Sequence, residues 1–143
     1  MEELTIGEVA QRAGIRASAI RYYESVNVLP EPRRINGRRR YNSSVLDRLA
    51  VIQMAQQAGL TVSEIRTLFN GFTTETPASV RWQELASRKL VEVDALLRRV
   101  QAMKWLLEEL LLRCRCLTLD ECAHYIRDQG DCETLVTEQQ LQK

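Results

Sequence analysis

The sequence predicts a mainly α-helical protein that combines a compact N-terminal domain, a small β-hairpin and one very long helix. Three observations predict this fold class. Helix-capping residues alternate with glycine-containing turns in the first 70 residues, and an Asn-Gly pair separates two arginine-rich segments. After Pro77 there is no further proline, and no glycine before Gly130. Because proline and glycine are the residues that helix interiors disfavour most, this last stretch can hold many helical turns.

Two short helices are predicted near the N-terminus. Thr5 and Glu8 have the spacing of a capping box, in which an N-cap threonine and a glutamate three residues later bond each other's backbone N–H groups. A turn at Gly14 separates this helix from a second one, predicted from about Arg16 to Ser25. Such a pair is either an ordinary helical hairpin or a helix-turn-helix unit, whose second helix enters the major groove of DNA. In the latter case the groove-facing residues are Arg16, Ser18, Arg21 and Tyr22.

A β-hairpin is predicted at Asn36-Gly37, because this dipeptide is a strong signal for a two-residue hairpin turn. Five arginines and no acidic residue lie between positions 33 and 40. This pattern indicates either a solvated charged loop or a phosphate-binding patch. After a helix-turn-helix, such a hairpin would be a wing that holds the DNA backbone and gives affinity and register. The predicted contact residues of the wing are Arg34, Arg38, Arg39, Arg40 and Tyr41.

Two more helices complete the predicted domain. Asn42 is predicted to cap a helix that continues to about Ala58, and Thr61 with Glu64 forms a second capping box. The predicted buried face of the first of these helices consists of Val45, Leu49, Ile52 and Ala55. The predicted divisions of the chain are a winged-helix domain over 1–70, a linker over 71–76, a dimerisation helix over 77–112, and a cysteine-containing loop, short helix and tail over 113–143.

The long helix carries a narrow apolar seam. At ~1.5 Å per residue it would be roughly 50 Å long, more than one small domain can cover. Apolar residues spaced three or four apart are typical of a coiled coil, so the expected partner is a second copy of the chain. The predicted seam residues are Val93, Leu97, Val100, Met103, Leu107 and Leu110.

Composition bounds the location and the chemistry. The chain has 143 residues, no apolar stretch of membrane-spanning length and no signal-peptide pattern at its start, so a cytoplasmic location is expected. There, cysteines serve metal binding or redox chemistry more often than structural disulfides. With one histidine, no phosphate-binding glycine loop and no nucleophile signature, the sequence does not predict an enzyme.

The cysteines cluster after the long helix. Thr118 and Glu121 form a third potential capping box, which would place Cys122 at the start of a short helix. Three thiolates and one further ligand would suit a tetrahedral thiophilic ion of the zinc or copper type. Alternatively, the thiols stay reduced and pack against the dimer seam. The predicted metal ligands are Cys114, Cys116 and Cys122, with Cys132 or His124 as the fourth.

Four segments resemble the DNA-binding domain of MerR-type transcriptional regulators: Leu4–Ala10, Ile20–Glu24, Asn36–Tyr41 and Gln57–Ile65. The long helix then corresponds to the antiparallel dimerisation helix of that family. The resemblance implies a homodimer that binds a near-palindromic operator in double-stranded promoter DNA. It also implies that an effector makes the protein bend and untwist the DNA, so that RNA polymerase can use the promoter.

The cysteine loop is similar to that of SoxR, the iron–sulfur redox sensor of the family. SoxR has a further cysteine where this chain has Leu111, and a [2Fe–2S] cluster takes four cysteines, so Cys132 or another group would have to complete it. Relatives that sense metals, such as CueR and ZntR, also place ligands in this loop, and divalent-metal sensors add a partner cysteine near the position of Ser79. The three effector hypotheses are therefore, in order, a thiophilic metal ion, a [2Fe–2S] cluster and direct thiol oxidation.

The function class that the sequence predicts is a dimeric, effector-responsive DNA-binding regulator. The alternative from another class is a coiled-coil metal carrier or thiol scaffold whose basic region binds an acidic partner. The basic residues favour the regulator, since the first 70 residues carry ten arginines against seven acidic residues.

Overall fold

The computed structural model describes the backbone of residues 2–130 and their side chains except that of Gln129. The mainly helical fold class is confirmed. A first compact unit ends at Leu90 and a second begins at Val91. In chain order the elements are β1 (Glu3–Leu4), α1 (Ile6–Ala13), α2 (Ala17–Ser25), β2 (Arg33–Ile35), β3 (Arg38–Asn42), α3 (Val45–Gln57), α4 (Val62–Asn70), α5 (Ala78–Arg113) and α6 (Leu119–Gln129).

Two of the predicted capping boxes are fully formed. At the start of α1, the Thr5 hydroxyl accepts from the Glu8 backbone N–H at 3.3 Å, and the Glu8 carboxylate accepts from the Thr5 N–H at 2.7 Å. Thr61 and Glu64 repeat this arrangement at the start of α4. Each box satisfies backbone donors that the first turn of a helix leaves without a partner, which explains why these short helices begin where they do.

The predicted hairpin is confirmed, and it belongs to a three-stranded antiparallel sheet in which β3 lies between β1 and β2. Asn36 and Gly37 both have positive φ angles, 51° and 76°, as a two-residue primed turn requires. The pairing sets Leu4 opposite Tyr41 on one side of β3. Strand β1 was not predicted, because two residues are too short to show an alternating pattern.

The first unit has a closed apolar core. The buried face predicted for α3 is confirmed, since Val45, Leu49, Ile52 and Ala55 are all buried. Side chains from the other helices and strands of this unit, and from the turns between them, complete the core: Leu4, Val9, Ile20, Tyr23, Val28, Leu29, Tyr41, Leu60, Ile65, Leu68 and Leu85.

The first unit extends past the predicted boundary at residue 70 and includes the start of α5. Gly71 follows α4 so closely that a Cβ there would lie 2.6 Å from Thr67 Cγ2 and 2.8 Å from the Thr67 carbonyl oxygen. Any larger residue would therefore displace the backbone at this turn. Leu85 and Lys89, on the first turns of α5, are buried.

The second unit consists of the remainder of α5 and helix α6. The predicted capping box at Thr118 is only half formed: its hydroxyl accepts from the Glu121 N–H at 3.1 Å, but the Glu121 carboxylate accepts from the Leu117 N–H instead. Five of the six predicted seam residues of α5 are 38–59 % exposed. No helix within residues 2–130 is long and apolar enough to cross a membrane.

Candidate DNA-binding surface and cysteine segment

Helix α2 presents the predicted groove-facing residues on one exposed surface. Ser18, Arg21 and Tyr22 are spaced three and four residues apart, so they share a face, and all three are exposed. Arg16 lies at the N-cap of the same helix and is also exposed. Ile20 points the other way into the core. The structure thus brings together all four of these predicted residues.

Two arginines of other helices hold the turn that follows α2. Arg48 on α3 donates from Nε to the Val28 carbonyl oxygen at 2.9 Å, and its guanidinium lies 3.9 Å from the centre of the Phe69 ring. Arg66 on α4 donates to the Val26 carbonyl oxygen at 2.8 Å. These bonds satisfy backbone acceptors of the turn and thereby fix the end of α2. Sequence patterns gave no indication of them.

The wing arginines fall into two groups. Arg34 and Arg38 flank the hairpin turn and are exposed, and Arg40 is half-buried. Arg39 is tied to α2 instead, because its Nε lies 3.1 Å from a carboxylate oxygen of Glu24. The exposed pair is therefore the more accessible to a phosphate, and Arg39 is already engaged within the protein.

Tyr41 was predicted to contact DNA, but its side chain lies inside the domain. Its side chain is 4 % exposed, and its hydroxyl donates to the Glu24 carboxylate. Burial and the neighbouring carboxylate raise the pKa of Tyr41 above its ordinary value. Because side chains alternate along a strand, the residue after Arg40 points to the core side of β3. Tyr41 therefore packs the wing onto the domain and does not belong to the exposed surface.

Glu24 joins the second helix to the wing. Its side chain is 7 % exposed and accepts from both Arg39 and Tyr41. A buried carboxylate needs such partners, since an unpaired buried charge is costly. The only sequence signal for this role was the single acidic residue at the end of an arginine- and tyrosine-containing helix.

The cysteine segment lies between and within the helices of the second unit. Cys114 and Cys116 follow the end of α5, and Cys122 closes the first turn of α6, where its N–H bonds the Thr118 carbonyl oxygen at 3.1 Å. All three thiols are half-buried. Thiolate donors one residue apart fit a thiophilic ion by their chemistry. Within residues 2–130, however, no three Cys, His, Asp or Glu side chains converge tightly enough to hold a metal ion.

Of the two residues predicted as a possible fourth ligand, the structure describes only His124. His124 is exposed, with its Nε2 3.1 Å from a carboxylate oxygen of Asp128 and its Nδ1 3.2 Å from Arg127 Nη2. Its ring nitrogens are thus occupied by neighbours on α6. Cys132 lies outside the described residues.

Comparison with known proteins assigns the chain to a family. Residues 4–71 match the family of MerR HTH regulatory proteins, and residues 46–110 match the MerR DNA-binding family. The mercuric resistance operon regulatory protein of Bacillus cereus is 32 % identical over 113 residues, covering 78 % of this chain and 83 % of that protein. The chain belongs to the MerR family. MerR-family proteins are DNA-binding transcription regulators, so the regulator prediction is confirmed over the metal-carrier alternative and over an enzyme.

Two further proteins are similar to this chain over most of its length. A SoxR homologue from Chromobacterium violaceum is 29 % identical over 133 residues, covering 90 % of this chain and 88 % of that one. The crystal structure of the regulator PbrR691 from Ralstonia metallidurans CH34 in complex with lead(II) superimposes with a TM-score of 0.69 at 30 % identity, covering 83 % of this chain and 94 % of that one.

Proposed function

We propose that this MerR-family regulator acts as an antiparallel homodimer that alters promoter DNA in response to a signal at its cysteine segment. The observation that carries the proposal is the exposed seam of α5. Leu97, Val100, Met103 and Leu107 are each at least half exposed at coiled-coil spacing. Such a contiguous apolar stripe favours association with a second copy, because burial of its surface from water is favourable.

The DNA-binding surface is proposed to divide its work between α2 and the wing. Arg21 and its exposed neighbours on α2 would read base edges, and Arg34 and Arg38 would hold phosphates. Bending and untwisting a promoter site costs of order 1–6 kcal/mol, which a set of phosphate contacts from two subunits can offset. RNA polymerase would then use the realigned promoter.

The division of work is tested with Arg21→Ala and Arg38→Ala. Arg38 is chosen over Arg39 because Arg39 pairs with Glu24. We expect Arg21→Ala to reduce discrimination between operator and random DNA by about 1–3 kcal/mol. Arg38→Ala should weaken binding to both DNAs and reduce the slope of log affinity against log salt by about 1. Equal losses on both DNAs for both variants would contradict the proposal.

The signal is proposed to be a thiophilic metal ion bound by Cys114, Cys116 and Cys122, with Cys132 or His124 as the fourth ligand. The support is donor chemistry and likeness to relatives whose names refer to mercury and lead. A bound ion would cross-link the segment that follows α5. In an antiparallel pair, this segment of one copy would lie towards the N-terminal end of the partner's α5, which is part of the partner's DNA-binding unit.

An iron–sulfur redox signal is the second candidate, favoured by the similarity to the SoxR homologue over 133 residues. This chain differs from SoxR at Leu111, where SoxR has a cysteine. The visible spectrum and metal content of protein purified without oxygen separate the candidates. A brown chromophore with iron and sulfide would reject the single-ion proposal. Colourless protein that binds one zinc or copper per chain, and loses it in Cys116→Ser, would support it.

Direct thiol oxidation is the third candidate. Metal-free protein that loses titratable thiols on treatment with peroxide, and changes its operator affinity at the same time, would favour it over both metal-containing centres. Cys122→Ser would then abolish the response to peroxide without changing operator affinity in the reduced protein.

A further inference from the structure

The junction between α4 and α5 is held by one arginine. Arg81, on the first turn of α5, donates to four backbone carbonyl oxygens at 3.0–3.1 Å. Two of these acceptors are among the last four carbonyls of α4, and two belong to the connecting segment 71–76: Leu68, Phe69, Thr73 and Thr76.

These bonds have a clear physical basis. The last four carbonyls of a helix have no intrahelical partner, and positive charge is favourable at that end of the helix dipole. The planar guanidinium, with five donors, can serve several acceptors at once, and that of Arg81 also faces the Phe72 ring at 5.7 Å from its centre. Arg81 thus links α5 to α4 and to the connecting segment through one hydrogen-bond network.

A second contact lies two turns further along α5. Leu85 is 3 % exposed within the core, and the Lys89 ammonium lies 2.7 Å from a carboxylate oxygen of Glu64 at the start of α4. Glu64 is also the residue whose carboxylate accepts from the Thr61 N–H in the capping box of α4. Residues 81, 85 and 89 share one helix face. The first turns of α5 are therefore fixed at both ends of α4.

We infer that Arg81 and Lys89 are positioning residues that make the first turns of α5 move as one body with the DNA-binding unit. A rotation of the long helix would then reach α2 and the wing instead of being absorbed by segment 71–76. In the dimer, the same contacts would set the separation and twist of the two DNA-binding units. This inference rests on the proposed antiparallel dimer, but the rigidity of the junction can be measured without it.

The first experiment measures sensitivity to half-site spacing. Operators are selected from random DNA with the wild-type protein, and one or two base pairs are then inserted between the half-sites. Each added pair turns one half-site by about a tenth of a helical turn. Wild type should lose affinity steeply. Arg81→Ala and Lys89→Met should tolerate the insertions, with the affinity ratio between the two spacings reduced about tenfold.

The matched control is Arg88→Ala. Arg88 lies on the same helix, but its side chain is 67 % exposed and pairs only locally with Glu84 at 2.5 Å. It should keep the wild-type ratio. Binding to a single half-site should be the same in all variants, since the junction lies outside the DNA-binding surface. Junction variants that keep the wild-type ratio would overturn the inference.

The second experiment observes the junction itself. Trp82 is half-buried and packs on the core beside Arg81, whereas Trp105 is exposed. In a Trp105→Phe background, Arg81→Ala should make Trp82 more accessible to acrylamide and shift its emission to longer wavelength. Unchanged quenching would overturn the inference. A wild-type protein that is monomeric or ignores spacing would instead refute the proposed dimer, and the Trp82 measurement would still decide the rigidity of the junction.

Discussion

The two units of the chain differ in how completely they bury their own apolar residues. Every buried side chain among the described residues lies between Leu4 and Lys89, in the first unit. From Val91 to Gly130 the large apolar residues stay at least partly exposed, up to 92 % at Leu117. The first unit can therefore be stable by itself, whereas the second needs another surface to cover it.

This difference separates the two tasks of the regulator. The self-contained unit can present α2 and the wing in a fixed geometry whether or not a signal is present. The second unit leaves its large apolar residues exposed, so assembly or a ligand that covers them would favour one of its conformations over others. A signal near the cysteines would therefore act where the structure depends most on its partners.

The largest expected effect comes from placing a charge on the seam. In Val100→Asp a carboxylate would have to be buried between two copies, so we expect the dimer to dissociate. Loss of bivalent binding should reduce operator affinity about 10²–10⁴-fold, measured by gel shift, with sedimentation reporting the mass. Val91→Asp is the matched control: nine residues earlier it faces the opposite side of α5, and it is 70 % exposed. If the Val100→Asp protein stayed dimeric at micromolar concentration, Val100 would not lie in the interface between the two copies.

A truncation in the core of the first unit should instead act independently of protein concentration. Ile52 is completely buried, so Ile52→Ala should lower the free energy of unfolding by about 2–5 kcal/mol. Urea titrations at two protein concentrations check this, and the loss should be the same in both. Met54, on the same helix but 58 % exposed, provides the control, with a loss within about 0.5 kcal/mol for Met54→Ala. If the loss in Ile52→Ala depended on protein concentration, the stability of the first unit would depend on association with a second copy.

The features predicted from sequence are those that depend on short-range patterns. The caps at Thr5 and Thr61, the turn at Asn36-Gly37 and the buried face of α3 each follow from residues a few positions apart. The apolar repeat of α5 follows in the same way, and its role as a dimer seam stays a prediction.

What the sequence did not reveal depends on contacts between distant residues. Arginines 38–40 suggested a uniformly exposed wing, yet Tyr41 turns inward and Arg39 pairs with Glu24, fifteen residues earlier. The bonds from Arg81 to α4 could not be predicted either, because no sequence pattern indicates that an arginine on a long helix will bond backbone carbonyls of another helix. Cysteine spacing likewise indicated donor chemistry at positions 114, 116 and 122 without fixing whether the donors converge.

Replacing Glu24 should have an intermediate effect on the stability of the first unit. Glu24→Gln removes the charge that accepts from Arg39 and Tyr41, and hydrogen bonds to a charged group contribute about 1.5–3 kcal/mol. We expect a loss of that size in the free energy of unfolding, with weaker operator binding because the wing is less firmly held. The exposed Glu31 is the control, and Glu31→Gln should change neither quantity. Wild-type unfolding energy in Glu24→Gln would show that the wing is held by packing alone.

The smallest expected effect is an acid-sensitive part of the junction. The hydrogen bond from Lys89 is the largest cause that lowers the pKa of Glu64 below its ordinary value of roughly 4.3. A lowered folded-state pKa contributes stability above the ordinary value, and this stability is lost as the pH falls through the folded-state pKa. The effect is small because Glu64 keeps its bond from the Thr61 N–H at 3.1 Å when Lys89 is replaced.

Lys89→Met should therefore unfold more easily than wild type at pH 7, and the difference should shrink as the pH falls below that ordinary value. Urea titrations at several pH values measure it, with Arg88→Ala as the control, because that variant leaves the bond between Lys89 and Glu64 intact. The methionine keeps an unbranched apolar side chain, so lost packing cannot account for a pH-dependent difference. If the difference between Lys89→Met and wild type were the same at pH 7 and in acid, the ion pair would contribute nothing and Leu85 with Arg81 would hold the junction alone.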